Sequence, residues 1–237
     1  MLRERWSSAT VVESAEDTCP YCTSLLKSHL GAGQVSPWNT VLYESPNFVV
    51  VPTLGSLVEG WLLIVSKAHL LCMGALPESH GEELKAVARR TVMAVTRTYQ
   101  QPTIFEHGPS ACSTPMGCGV DHAHLHVVPL GFGLRGRKAA VLSTPELEWH
   151  ATDEWFAALR ALYNERKQYL FLAEPGAPPM YCTPANVPNQ VFRRAVAQLV
   201  GKPGAFDYHE DAGEENVLLT VRRLRDAFTT LSAKKRP

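Results

Sequence analysis

The sequence predicts an α+β fold: a mainly antiparallel β-sheet of about five strands with one long helix, plus a C-terminal α/β extension packed against it. Three observations carry this prediction. Short apolar or β-branched runs of strand length, bounded by Pro, Gly, Asn and Ser, recur between residues 40 and 130. One stretch, residues 77–99, places its apolar residues at helical spacing. Finally, Asp121-His122-Ala123-His124-Leu125-His126-Val127-Val128-Pro129 alternates with the two-residue period of a strand.

Residues 1–17 are polar and unpatterned and read as a disordered leader. Cys19-Pro20-Tyr21-Cys22 follows, two thiols at the spacing of a metal knuckle or of a redox pair. Thr40–Glu44, a turn at Ser45-Pro46-Asn47, and Phe48–Val51 read as a β-hairpin with β-branched arms. Gly60-Trp61-Leu62-Leu63-Ile64-Val65 is a continuous apolar run, expected as a central strand buried on both faces and closed by Lys67-Ala68-His69. Pro77-Glu78 and Ser79 open the long helix, which runs to about Tyr99 with Leu84, Val87, Ala88, Thr91, Val92 and Val95 on its apolar face. Thr103–His107 is the next strand, ended by Gly108-Pro109, and Ala111–Gly119 is a loop leading to the histidine strand.

Beyond Leu130, the Gly131–Lys138 segment is a basic loop, either solvated or closing over a phosphate. Thr152 is expected to cap a helix through about Lys167. Tyr169–Leu172 and Met180–Cys182 form a short hairpin around Pro175-Gly176, and two helices follow near 189–200 and 214–231. These elements divide the chain into a main domain, 18–135, and an extension, 136–237, packed on it.

A chain of 237 residues can bury a full core. Its formal net charge of zero and pI near 7.1 argue against non-specific affinity for nucleic acid or membrane, which needs a concentrated basic face. No apolar run approaches the roughly 20 residues of a membrane span, and Met1–Ser8 lacks the apolar core of a signal peptide, so a soluble cytoplasmic protein is expected. Six cysteines in a chain this long do not make a disulfide framework, which agrees with a reduced compartment.

Three titratable rings within five residues are hard to explain as core filling, because each desolvated ring needs a hydrogen-bond partner. On a strand, His122, His124 and His126 share one face, with successive rings about 6.6 Å apart along it, close enough to bracket one phosphate. An unperturbed imidazole pKa of about 6.5 leaves a neutral, nucleophilic nitrogen abundant at neutral pH. Gly117-Cys118-Gly119 lies just upstream, where a glycine loop could offer backbone N–H groups to phosphate oxygens.

The His-x-His-x-His pattern followed by two apolar residues resembles the signature of the histidine triad (HIT) superfamily of nucleotidyl hydrolases and transferases. Glu44, the hairpin, the Gly-x-Leu-Leu-Ile-Val strand and Lys67-Ala68-His69 extend the resemblance over about residues 19–130. It implies that His124 attacks the α-phosphorus of a nucleotide and forms a covalent nucleotidyl-histidine. It also implies that His126 binds the phosphate and stabilises the leaving group, and that His122 orients the nucleophile or serves structure. Gly117, Cys118, Gly119 and Trp61 would contact the substrate. Bacterial members with an N-terminal CxxC bind a structural zinc ion, which maps here to Cys19, Cys22, His69 and His122.

Three positions depart from the family pattern. Trp61 stands where many members have a further histidine, and Val51, Pro52 and Thr53 occupy the neighbourhood of an aspartate that commonly holds the ribose hydroxyls. Gly117-Cys118-Gly119 replaces Gly-Gln-Ser. In the extension, Val187–Arg194 and Gly213–Asn216 resemble the tail of CwfJ-type HIT-like proteins, associated with RNA processing. Arg193 and Arg194 could reach a phosphate or form a solvated face, whereas Trp155, Phe156 and Phe192 read as core.

The resemblance as a whole implies hydrolysis or transfer at the α-phosphorus of a nucleotide conjugate, such as a nucleoside phosphoramidate or dinucleoside polyphosphate. The partner is then a small-molecule nucleotide, with neither membrane nor nucleic acid, and homodimers are common in the family. Two other readings stand beside it: a non-catalytic nucleotide- or RNA-binding scaffold of CwfJ-like type, and a nucleotidyltransferase in a biosynthetic pathway.

Overall fold

The computed structural model describes residues 15–26, 36–112, 119–135 and 139–233. Among the described residues eight strands form one sheet: β1 Tyr43–Glu44, β2 Phe48–Pro52, β3 Leu62–Ser66, β4 Thr103–Gly108, β5 His124–Val128, β6 His150–Ala151, β7 Tyr169–Ala173 and β8 Met180–Cys182. The order across the sheet is β1-β2-β3-β5-β4-β7-β8-β6, and every neighbouring pair is antiparallel. Among the described residues the longer helices that accompany it are α1 Gly81–Thr98, α2 Trp155–Asn164, α3 Val191–Leu199 and α4 Glu214–Ala233.

The five expected strands are β1–β5. The sheet is wider because β7 of the extension pairs along the outer edge of β4, with Phe105 opposite Leu172 and His107 opposite Leu170, and brings β8 and β6 after it. Pairing covers the N–H and C=O groups that the β4 edge would otherwise expose. Strands from before and after residue 135 therefore share one hydrogen-bonded sheet.

Histidine strand β5 lies centrally, with Leu63 of β3 and Phe105 of β4 both opposite His126. Alternation sorts the two faces. Phe48, Val50, Leu62, Ile64, Leu125 and Val127 join Leu84, Val87 and Val95 of α1 in the main core. Helix α4 packs beside α1, where the Phe228 ring stacks on Tyr43 at 6.0 Å and the Arg90 guanidinium donates to the Phe228 carbonyl at 3.2 Å. Burying a ring such as Phe228 contributes about 2 kcal/mol. The opposite face carries His124 and His126. It is covered at one end by the segment bearing Leu25 and at the other by α3, through Val191, Phe192 and Val196.

Thr152 does not cap a helix. Its N–H donates to the Pro179 carbonyl at 2.9 Å, prolonging the β6–β8 ladder, and α2 begins later, at Trp155. The helix also stops before Lys167, because Arg166 adopts a left-handed φ of 57°. Of the three aromatics expected in the core, Phe156 and Phe192 are buried there, and Trp155 is half-buried against it. Among the described residues no helix is long and apolar enough to cross a membrane.

Candidate active site and metal centre

His122 precedes β5, and its ring is fixed from both sides. Because a carbonyl can only accept, the 2.7 Å contact of Nε2 with the Ser66 oxygen places the proton on Nε2 and leaves Nδ1 bare. Nδ1 lies 3.4 Å from Cys19 Sγ and 3.6 Å from Cys22 Sγ, and Cys22 Sγ lies 3.4 Å from His69 Nδ1. All four ligand atoms fall within 4.8 Å of one another. Tetrahedral zinc, with Zn–S of about 2.3 Å and Zn–N of about 2.05 Å, requires S···N edges of about 3.5 Å. The donor set thus fits zinc, and the Ser66 carbonyl supplies the outer hydrogen bond that orients a ligating imidazole. Burial, chiefly, pushes His122 down to about 4, which keeps it in the neutral form a metal needs.

His124 and His126 are locked in complementary tautomers. His124 Nδ1–H donates to the His122 carbonyl at 2.6 Å, so its Nε2 carries the lone pair. The Trp61 indole N–H donates to His126 Nδ1 at 3.1 Å, and since indole nitrogen cannot accept, the His126 proton is on Nε2. No hydrogen-bond partner for that Nε2 is found among the described residues. The two ring centroids are 4.9 Å apart. Burial is the main cause that lowers the pKa of both, and for His126 the neighbouring His124, His107 and Arg193 add to it. A nucleophilic nitrogen and an N–H donor therefore stand side by side on one strand face.

A cavity of about 310 Å³ opens over this pair, a volume at the lower end of small-ligand pockets. His124 and His126 line it together with Gly119. One wall comes from the cysteine segment, Pro20, Tyr21 and Ser24, and Tyr21 also places its ring edge-on to His122 at 5.4 Å and to His124 at 5.6 Å. Trp38, Pro52 and Leu54 supply further apolar surface. From the extension come Arg193 and Tyr208.

Arg193 is 2% exposed. Its Nε donates to the Phe206 carbonyl and its Nη2 to the Gly55 carbonyl, each at 2.7 Å, and its guanidinium lies 5.0 Å from the Trp61 ring centre. Of the arginine pair it is the one turned inward. Arg194 is bound instead to Asn189, through Nε to its carbonyl and Nη2 to its Oδ1, and lies 3.7 Å over the Phe206 ring.

Trp61 is fully buried and stands behind His126, outside the cavity wall, packed edge-on to Phe105 at 6.0 Å. Gly119 lines the cavity, whereas Gly117 and Cys118 lie outside the described residues. Residues not singled out in sequence are Tyr21, Tyr208 and His107. His107, on the same sheet face, is 6.3 Å from His126 and accepts the Phe192 N–H at Nε2. The period of β4 carries a weak signal for it, since His107 follows Phe105 by two residues; Tyr21 and Tyr208 leave no such trace.

On the far face of β4, Glu106 is buried in a polar knot. It accepts the Met73 N–H at 2.6 Å and the Tyr169 hydroxyl at 2.8 Å, while Gly74 N–H donates to that hydroxyl at 3.0 Å. Desolvation pushes its pKa up to about 7, and burial together with the Glu106 charge pushes the Cys72 thiol beside it up to about 12.

No family model matches the chain and no curated protein does. Among solved structures it is similar to a Zn-bound histidine triad family protein from Mycobacterium smegmatis, at 20% identity and a TM-score of 0.38, over 63% of this chain and 96% of that one. It is also similar to a hypothetical histidine triad nucleotide-binding protein from Sulfolobus tokodaii, at 14% identity and a TM-score of 0.37, over 62% and 91% of the two chains. A third is a HIT-like protein involved in cell-cycle regulation from Bartonella henselae, at 13% identity and a TM-score of 0.38, over 48% and 80%.

Proposed function

We propose that this protein is a histidine triad enzyme that hydrolyses or transfers the nucleotidyl group of a nucleotide conjugate by attack at the α-phosphorus. The observation that carries the reading is the pair of opposed tautomers, His124 with a bare Nε2 and His126 with Nε2–H, lining one cavity of about 310 Å³.

In this reading His124 Nε2 forms a bond to phosphorus as the bond to the leaving group breaks. The His126 N–H stabilises the charge that develops on the departing atom and delivers its proton there. The His122 carbonyl, already accepting from His124 Nδ1–H, stabilises the imidazolium that forms on phosphorylation. Water, or another acceptor, then attacks the same phosphorus and breaks its bond to His124, releasing the mononucleotide or the nucleotidylated acceptor, while the proton of the attacking group goes to His126. Cys19, Cys22, His69 and His122 would hold zinc, which when bound supplies a structural cross-link and closes no step of the chemistry.

Purified zinc-replete protein is expected to release mononucleotide from at least one member of a panel of adenylated, guanylated and uridylylated conjugates, and His124→Ala to lower that rate by about 10⁴-fold or more. Tight nucleotide binding with no product release would instead favour the non-catalytic scaffold.

A further inference from the structure

Two glycines let the extension enter the site. A Cβ on Gly55, whose φ is +72°, would stand 2.4 Å from Tyr208 Cβ and 2.7 Å from Arg193 Nη2. A Cβ on Gly119, with φ of +93°, would stand 2.5 Å from the Tyr208 hydroxyl. These are contacts real Cβ atoms do not make: beside Gly55 the Tyr208 backbone would have to shift, and beside Gly119 the Tyr208 ring would have to swing away.

What enters is a permanent cation. Arginine stays protonated even when buried, and Arg193 is oriented by two backbone carbonyls, 5.0 Å from the centre of the Trp61 ring whose N–H holds His126. Arg193 and Tyr208 line the same cavity as His124 and His126. From the Cys19, Cys22, His69 and His122 group the residues run to His124, to His126 at 4.9 Å between ring centroids, and through Trp61 to Arg193. If His124 attacks and His126 meets the departing atom, the leaving group extends toward Arg193 and Tyr208.

We infer that Arg193, with Tyr208, binds an anionic leaving group, so that the substrate is a nucleotide joined through a phosphoric anhydride, such as a dinucleoside polyphosphate or nucleoside diphosphate conjugate. This rests on the proposed attack by His124. The bond broken is then the α-phosphorus to bridging-oxygen bond. The departing phosphate takes the electron pair and the His126 proton, and the negative charge that its other oxygens already carry faces the guanidinium. A phosphoramidate, whose leaving amine has no anionic oxygens, makes no use of this cation.

The test is the ratio of kcat/KM for diadenosine tetraphosphate to that for adenosine 5′-phosphoramidate, with thermal midpoints of every variant recorded. Wild-type protein is expected to favour the anhydride. Arg193→Gln is expected to lower the ratio by about 100-fold, as for loss of one charged donor at a developing oxyanion. Arg193→Lys is expected to restore part of it, and Tyr208→Phe, which removes a hydroxyl alone, to lower it by about tenfold. A wild-type preference for the phosphoramidate, or an equal loss on both substrates in Arg193→Gln and Tyr208→Phe, would overturn the inference. Should neither compound be turned over, the attack by His124 has failed and the anion site is read separately by calorimetry with inorganic pyrophosphate. Binding that Arg193→Gln abolishes sustains the site; no binding by wild-type protein overturns it.

Discussion

His126 is gripped between Phe105, stacked at 4.6 Å, and Trp61, whose indole N–H decides which imidazole nitrogen is protonated. Trp61→Phe keeps most of the apolar volume and removes that donor, leaving a buried acceptor unsatisfied at a cost of about 1–3 kcal/mol. The tautomer of His126, read from ¹⁵N ring shifts, is expected to become mixed and kcat to fall by at least about tenfold, since the ring's donor would no longer face the departing atom. An unchanged tautomer would show that something other than Trp61 fixes it. His124 and His126 were legible because a two-residue period alone puts them on one face. Arg193 was not: an arginine pair on a helix reads the same whether one member turns in or both face water, and the difference lies in Gly55 and Phe206, whose carbonyls only the folded chain brings near.

The segment around Cys19-Pro20-Tyr21-Cys22 has two jobs, because the turn that aims its thiols at His69 and His122 also lays Tyr21 and Pro20 against the cavity. Protein prepared without chelator is expected to contain one zinc ion per chain, and Cys22→Ser to contain less than a tenth of that by elemental analysis. At free zinc a thousandfold above the dissociation constant, the ion adds about 4 kcal/mol to stability, so a chelator or Cys22→Ser should lower the thermal midpoint by several degrees. Equal midpoints with and without metal would remove zinc from the structure. The four donors were legible through the family resemblance, although about a hundred residues separate Cys22 from His122. Tyr21 as a wall was not, because nothing in a CxxC turn says which way its middle residues point.

Across the whole molecule, the knot of Glu106, Tyr169 and Cys72 ties β4 to β7 beside their backbone pairing. With Glu106 raised from 4.5 to about 7, the folded state holds a proton there that the unfolded chain has released. Its contribution is full below pH 4.5, declines as pH rises and is gone above about pH 7, a change on the order of 3 kcal/mol. Glu106→Gln is neutral at every pH, so the stability of the variant relative to wild type, from urea unfolding, is expected to rise by that amount between pH 4.5 and pH 8. A difference independent of pH would mean that Glu106 is ionised in the fold. Strands β1–β5 and the long helix were legible because each carries its own period or composition. The eight-stranded sheet was not, since β6 is two residues long and the pairing of β4 with β7 joins segments more than sixty residues apart, for which local pattern holds no record. The same pairing places α3, and with it Arg193, over the histidine face.

Everything proposed for the site turns on a bond between His124 Nε2 and phosphorus. Rapid quenching of zinc-replete protein with an α-³²P-labelled nucleotide conjugate should trap label that is stable to base, labile to acid and located on the His124 peptide by mass spectrometry, with none in His124→Ala. Equal label in His124→Ala, or turnover with no trapped intermediate at any quench time, would contradict it.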